Sequence, residues 1–223
     1  MIEDFKPATI RAIRAGFDGV EIHGANTYLV QQFFSPHSNR RTDQWGGTLE
    51  KRTHFIELLV DAVTGAVDQF AGGSFIVGYR FSPEEYEEPG IKLADTLYLV
   101  DLLAEKPLDY LHISLNDYHR VSVSKDYQEA SMLEYVHDRI AGRLPLIGVG
   151  DVRSKQDAEA ILAHGEVVAV GRSLLIDPHW TKKVLEGKEE TLRTVLPAAD
   201  RNELLIQNGV WGFLEAMMPD RLV

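Results

Sequence analysis

Short apolar runs rich in Val and Ile recur along the chain at Gly19 to His23, Ser74 to Phe81, Leu108 to Ser114, Leu144 to Gly150 and Val167 to Gly171. Between them the spacing turns helical. Phe55, Leu59, Val63 and Ala66 form one stripe, and Leu93, Leu97, Val100 and Leu103 form the next. Each stripe can cover one face of a sheet. Alternation of this kind predicts parallel strands joined by helical crossovers. Ser154, three residues before Asp157, predicts a capped helix running to His164 with Gly165 as its stop, and Asp177 before Pro178 predicts a later helix start. From Asp200 onward, a cap at Glu203 followed by Trp211, Phe213, Met217 and Met218 predicts one or two closing helices. Pro7 should lie near a helix start, because inside a helix it costs ~3 kcal/mol.

Polar residues gather just after the strand ends. His23, Asn26 and Tyr28 follow the first strand, Arg80 lies in the second, Asp151 follows the fourth and Arg172 the fifth. In β/α barrels that rim is where chemistry is done. His23 and Asn26, separated by a Gly-Ala bend, can aim hydrogen-bond donors at one point, as an oxygen gaining negative charge requires. Tyr28 carries a proton that it can give up. Any one of these side chains could simply satisfy a backbone carbonyl; three within six residues point to a site. Gly150 and Gly171 end two successive strands, where bare backbone N–H groups can approach an anion, and Arg172 adds a planar fork suited to phosphate. Arg80, in an otherwise apolar strand, either pairs with a carboxylate or faces a barrel mouth and stabilises negative charge there.

Composition narrows the classes. With 223 residues and 44% apolar content, the chain can bury one substantial core, so residues 1–223 read as a single domain. The net charge of -11 is spread without a basic patch, which argues against nucleic acid as a partner. There is no cysteine, which excludes disulfides, thiolate metal sites and cysteine nucleophiles and fits a cytoplasmic protein. No run approaches the ~20 apolar residues of a membrane span. His37, His54, His112, His119, His137, His164 and His179 show no metal-ligand spacing, so no metal is expected.

The segment from Ala15-Gly16-Phe17-Asp18-Gly19-Val20-Glu21-Ile22-His23, continuing through Ser35-Pro36-His37-Ser38-Asn39-Arg40-Arg41-Thr42-Asp43 and Gly46-Gly47 to Gly171-Arg172, resembles the old yellow enzyme family of FMN-dependent oxidoreductases. The resemblance implies an incomplete TIM (β/α)8 barrel of about five parallel strands alternating with helices. It implies that His23 and Asn26 bind the oxygen of an activated alkene and that Tyr28 donates the proton. Arg80 would contact the flavin, and Gly150, Asp151, Gly171 and Arg172 would hold the FMN phosphate. NADH or NADPH would be the reductant and a small molecule the substrate. The loop from Ser35 to Gly47 is expected to be structural, held by its own arginine and aspartate pairs, with Trp45 packed beneath it.

A full barrel of this kind has eight strands and would need about 320 residues at roughly 40 per strand-helix unit. The five runs correspond to strands four to eight, so the chain is expected to be the C-terminal part of a longer enzyme, with open strand edges that favour self-association. Two other readings compete. One is a phosphate-binding barrel with isomerase or aldolase chemistry, which would lack a lysine placed at a strand end for a Schiff base. The other is a catalytically inactive fragment that binds no flavin.

Overall fold

A computed structural model describes all of residues 1–223. The chain divides into two compact units, Met1–Gly150 with Ile161–Ala169, and Asp151–Ala160 with Val170–Val223. The first holds one sheet of five parallel strands in sequential order, β1 (Gly19–Gly24), β2 (Ile76–Phe81), β3 (Tyr110–Ile113), β4 (Leu146–Gly148) and β5 (Val167–Val168). Helices α1 (Ile2–Arg14), α2 (Leu29–Phe34), α3 (Leu49–Phe70), α4 (Leu93–Ala104), α5 (Met132–Ile140) and α6 (Lys155–Leu162) alternate with them. This is the expected β/α-barrel arrangement with five strands, and β1 and β5 pair on one side only.

The two-residue period of the strands sorts their side chains. Ile22, Val77, Tyr79, Phe81, Leu111, Ile113 and Leu146 lie on one face and are buried beside the helical stripes of α3 and α4, including Phe55, Leu59, Val63, Leu99 and Leu103. The opposite face carries a register row His23, Arg80, His112, Ile147 and Val167, and beneath it a row Glu21, Gly78 and Tyr110. Apolar residues on this inner face stay open, with Ile76 48% and Val167 47% exposed.

Gly78 has a defined role in the lower row. A Cβ there would lie 2.0 Å from the Tyr110 ring. The bare backbone lets that ring lie across β2, so that its hydroxyl donates to Glu21 Oε2 on β1 at 3.1 Å. His112 Nδ1 meets the same oxygen at 2.8 Å.

Three local expectations are corrected. Pro7 lies inside α1, not at its start; the hydrogen bond it forfeits is the one to the carbonyl of Glu3 in the first turn, while α1 packs along α3. Helix α6 ends at Leu162 and is capped as anticipated, Ser154 Oγ accepting from Asp157 N and the Asp157 carboxylate accepting from Ser154 N at 2.8 Å. Glu203, however, caps nothing and instead accepts from Arg193 at 3.0 Å.

The second unit contains α7 (Arg172–Ile176), α8 (Trp180–Leu185) and α9 (Asn208–Met217). Helix α8 begins at Trp180 rather than at Pro178. The Asp177 carboxylate serves the turn before it, accepting from His179 N at 3.1 Å, Arg193 N at 3.0 Å and Lys183 Nζ at 2.7 Å. Burial raises this carboxyl, but those donors together hold it below the ordinary aspartate range. Ile176, Leu196, Leu214 and Met218 form the core of the unit, joined by Leu204, Ile206, Trp211 and Leu222. No helix of the chain is long and apolar enough to cross a membrane.

Candidate active site

Strand β1 ends at Gly24, where a Cβ would lie 2.2 Å from the Tyr79 hydroxyl; only glycine allows the chain to leave the sheet over that ring. The next four residues close a tight turn, with Tyr28 N donating to Ala25 O at 3.2 Å. Both central residues are left-handed, Asn26 at φ 57 and Thr27 at φ 63. Asparagine tolerates this region; a β-branched threonine does so only under strain. The turn is held from both sides. Asn26 N donates to Ser82 Oγ at 2.9 Å and Thr27 N to Gln31 Oε1 at 2.9 Å, while Gln31 Nε2 donates to Glu85 at 2.7 Å.

The result brings the sequence-predicted trio to one strand end. The His23 and Tyr28 rings lie 5.3 Å apart between centroids, and Tyr28, at the N-cap of α2, is 63% exposed. Arg80 is the register partner of His23 on the adjacent strand. It takes no carboxylate: its Nη2 donates to Ser114 Oγ at 3.1 Å, and Ser114 Oγ donates in turn to Asn26 Oδ1 at 2.8 Å. His23, Asn26, Tyr28 and Arg80 therefore converge, with Ser114 between two of them.

The electrostatics of this rim favour a neutral imidazole. Burial first and the Arg80 charge second lower the His23 pKa below its ordinary 6.5, Glu21 pulling the other way and His112 adding a smaller lowering. A neutral His23 keeps one ring N–H to donate. Deeper on the inner face, burial raises the Glu21 carboxyl, but hydrogen bonds from His112 and Tyr110 and the charge on Arg80 hold it below its ordinary value. The Tyr110 phenol is pushed up to about 12 by burial and by the adjacent Glu21 charge.

The residues expected at a phosphate are distributed between the two units. In the first, Gly150 adopts φ 145, and a Cβ there would lie 2.3 Å from Tyr118 N; the loop after β3 crosses directly over it. In the second, Asp151 at φ 49 accepts from Arg172 at 2.7 Å and from Arg153 at 2.8 Å. Gly171 precedes α7 with open space where its Cβ would stand. The Ser35 to Gly47 loop is built as expected: Asn39 Nδ2 donates to Phe33 O at 2.6 Å and Trp45 O at 2.7 Å, Arg41 pairs with Asp43, and Trp45 stacks on His54 at 5.3 Å.

Sequence reading missed Ser114, Ser82, Glu21, Tyr110 and His112. A signal for them was present, because Tyr110, His112 and Ser114 alternate with Leu111 and Ile113 at the two-residue strand period.

The donor set suits a flavin. The Nε of Arg80 is buried without a hydrogen-bond partner, and an acceptor on a ring lying beside it would satisfy that group.

The family model described as "NADH:flavin oxidoreductase / NADH oxidase family" matches residues 1–191. The "Probable NADH-dependent flavin oxidoreductase YqiG" of Bacillus subtilis (strain 168) is 46% identical over 95% of this chain and 57% of its own length. The "NADH:acrylate oxidoreductase" of Vibrio harveyi is 45% identical over 99% of this chain and 22% of its own. Among solved structures, morphinone reductase in complex with tetrahydroNAD superposes with a TM-score of 0.65 at 31% identity, covering 84% of this chain and 48% of that one. The chain thus spans little more than half the length of the first of these relatives, and less of the others. By the match over residues 1–191, it belongs to the NADH:flavin oxidoreductase / NADH oxidase family.

Proposed function

We propose that this chain supplies the substrate-handling part of an FMN-dependent oxidoreductase that uses NADH or NADPH to reduce alkenes conjugated to a carbonyl or carboxylate. The observation that carries this reading is the convergence of His23, Asn26, Tyr28 and Arg80 at one end of β1 and β2. The acrylate oxidoreductase among its relatives supports the substrate class.

The chemistry supplied by bound FMN is hydride transfer, from NAD(P)H and onto the β-carbon of the alkene. The protein does the rest. Neutral His23 and the Asn26 carboxamide donate hydrogen bonds to the substrate oxygen, where negative charge grows as the double bond is reduced. The Tyr28 phenol, open to the rim, gives its proton to the α-carbon. Arg80 offers its unpartnered Nε to the flavin ring. Asp151, Gly171 and Arg172 hold the phosphate, with Asp151 setting the orientation of the Arg172 guanidinium. The self-association expected of open strand edges belongs to the same proposal.

Titration of FMN with the purified chain, followed by flavin fluorescence, should show saturable quenching. NADH absorbance should then fall on addition of acrylate. Absence of saturable FMN binding overturns the reading, and FMN binding without alkene reduction overturns the substrate assignment.

A further inference from the structure

We propose that Ser114 is a positioning residue that fixes which way the Asn26 carboxamide faces and so links Arg80 to the substrate oxygen; the inference rests on the function proposed above. Hydrogen bonds run from Arg80 Nη2 to Ser114 Oγ at 3.1 Å and from Ser114 Oγ to Asn26 Oδ1 at 2.8 Å. Their direction is set at the arginine, because a guanidinium can only donate. It fills a lone pair of the hydroxyl and leaves the single hydroxyl hydrogen for the carboxamide.

That hydrogen selects the oxygen of Asn26 and leaves the NH2 as the free end. The opposite flip would place the NH2 on the second lone pair, leave the hydroxyl hydrogen without this acceptor and present an acceptor to the incoming oxygen. The backbone of Asn26 is fixed separately, by Ser82 Oγ at 2.9 Å and by its left-handed φ of 57. Two serines, following β2 and β3, therefore clamp the main chain and the side chain of one residue. Ser114 is itself tied to the sheet, its N donating to Phe81 O at 2.7 Å. Because the relay starts on a cation, each link polarises the next and makes the Asn26 NH2 a better donor.

The test compares wild type, Ser114→Ala and Ser114→Thr in the 223-residue chain. The first readout is the side-chain amide signals of Asn26 by 15N NMR without ligand, and the second is kcat/KM for acrylate with FMN and NADH. In Ser114→Ala the Asn26 signals should move towards those of an unrestrained carboxamide and kcat/KM should fall about tenfold, the scale of one lost hydrogen bond. Ser114→Thr, which keeps the hydroxyl, should restore both. If the alanine variant does not fold, the equal-volume pair Ser114→Thr and Ser114→Val makes the same comparison. Asn26 signals unchanged by removal of the hydroxyl overturn the proposal whether or not acrylate is reduced. A wild-type chain inert towards acrylate, but with Asn26 signals that respond to the hydroxyl, overturns the proposed function and leaves the relay standing.

Discussion

On one face of the sheet, Ile22, Val77, Phe81, Leu111 and Ile113 are buried with no charged group among them, whereas the same three leading strands carry Glu21, His23, Arg80, Tyr110 and His112 on the other face, with Ser114 just beyond the third. Neighbouring residues along a strand thus do opposite work. The apolar face holds the fold by area removed from water, and the polar face holds side chains in position by direct hydrogen bonds. Damage to the first should appear as lost stability, and damage to the second as lost chemistry in a protein that still folds.

The sharpest break is Phe81→Ala. Phe81 is 1% exposed, and its truncation leaves a core cavity that should cost ~3–5 kcal/mol in chemical denaturation. Tyr28→Phe should do the reverse. With most of its side chain in solvent, the variant should keep its denaturation midpoint, while alkene reduction falls at least about a hundredfold, the usual share of a general acid. A Tyr28→Phe protein that loses stability instead would erase the distinction between the faces.

The smallest effect is a dependence on pH. His23 has a lowered pKa in the folded chain, so the unfolded chain binds its proton first. Its contribution is fully present above pH 6.5 and is lost as pH falls through the lower, folded value. Glu21 acts in the same direction below its ordinary 4.5. Denaturation midpoints should therefore drop on mild acidification, and His23→Gln should remove the part of that slope that begins near 6.5.

Much of this arrangement was legible in the sequence. The Val- and Ile-rich runs located all five strands, and the cluster from His23 to Tyr28 located the rim, because both depend on neighbours in the chain. What escaped depends on register. Ser114 matters only because β3 brings it between Arg80 and Asn26, and Glu21 meets Tyr110 only because β2 passes between them without a side chain. Local sequence shows Gly150 only as a bare strand end, whereas the fold adds a close approach, with Tyr118 N 2.3 Å from where a Cβ would stand. Local propensity places Pro7 at a helix start, and α1 runs through it nonetheless. In each case a partner distant in sequence outweighs the local preference.

The absence of one methyl group at position 78 lets side chains tie strands that are not neighbours. Because Tyr110 bridges over Gly78 to Glu21, and His112 meets the same carboxylate, the first and third strands are laced together across the second on the inner face. Alanine at 78 would collide with the Tyr110 ring and lift its hydroxyl from Glu21, leaving His112 as the remaining tie from the third strand to that carboxylate.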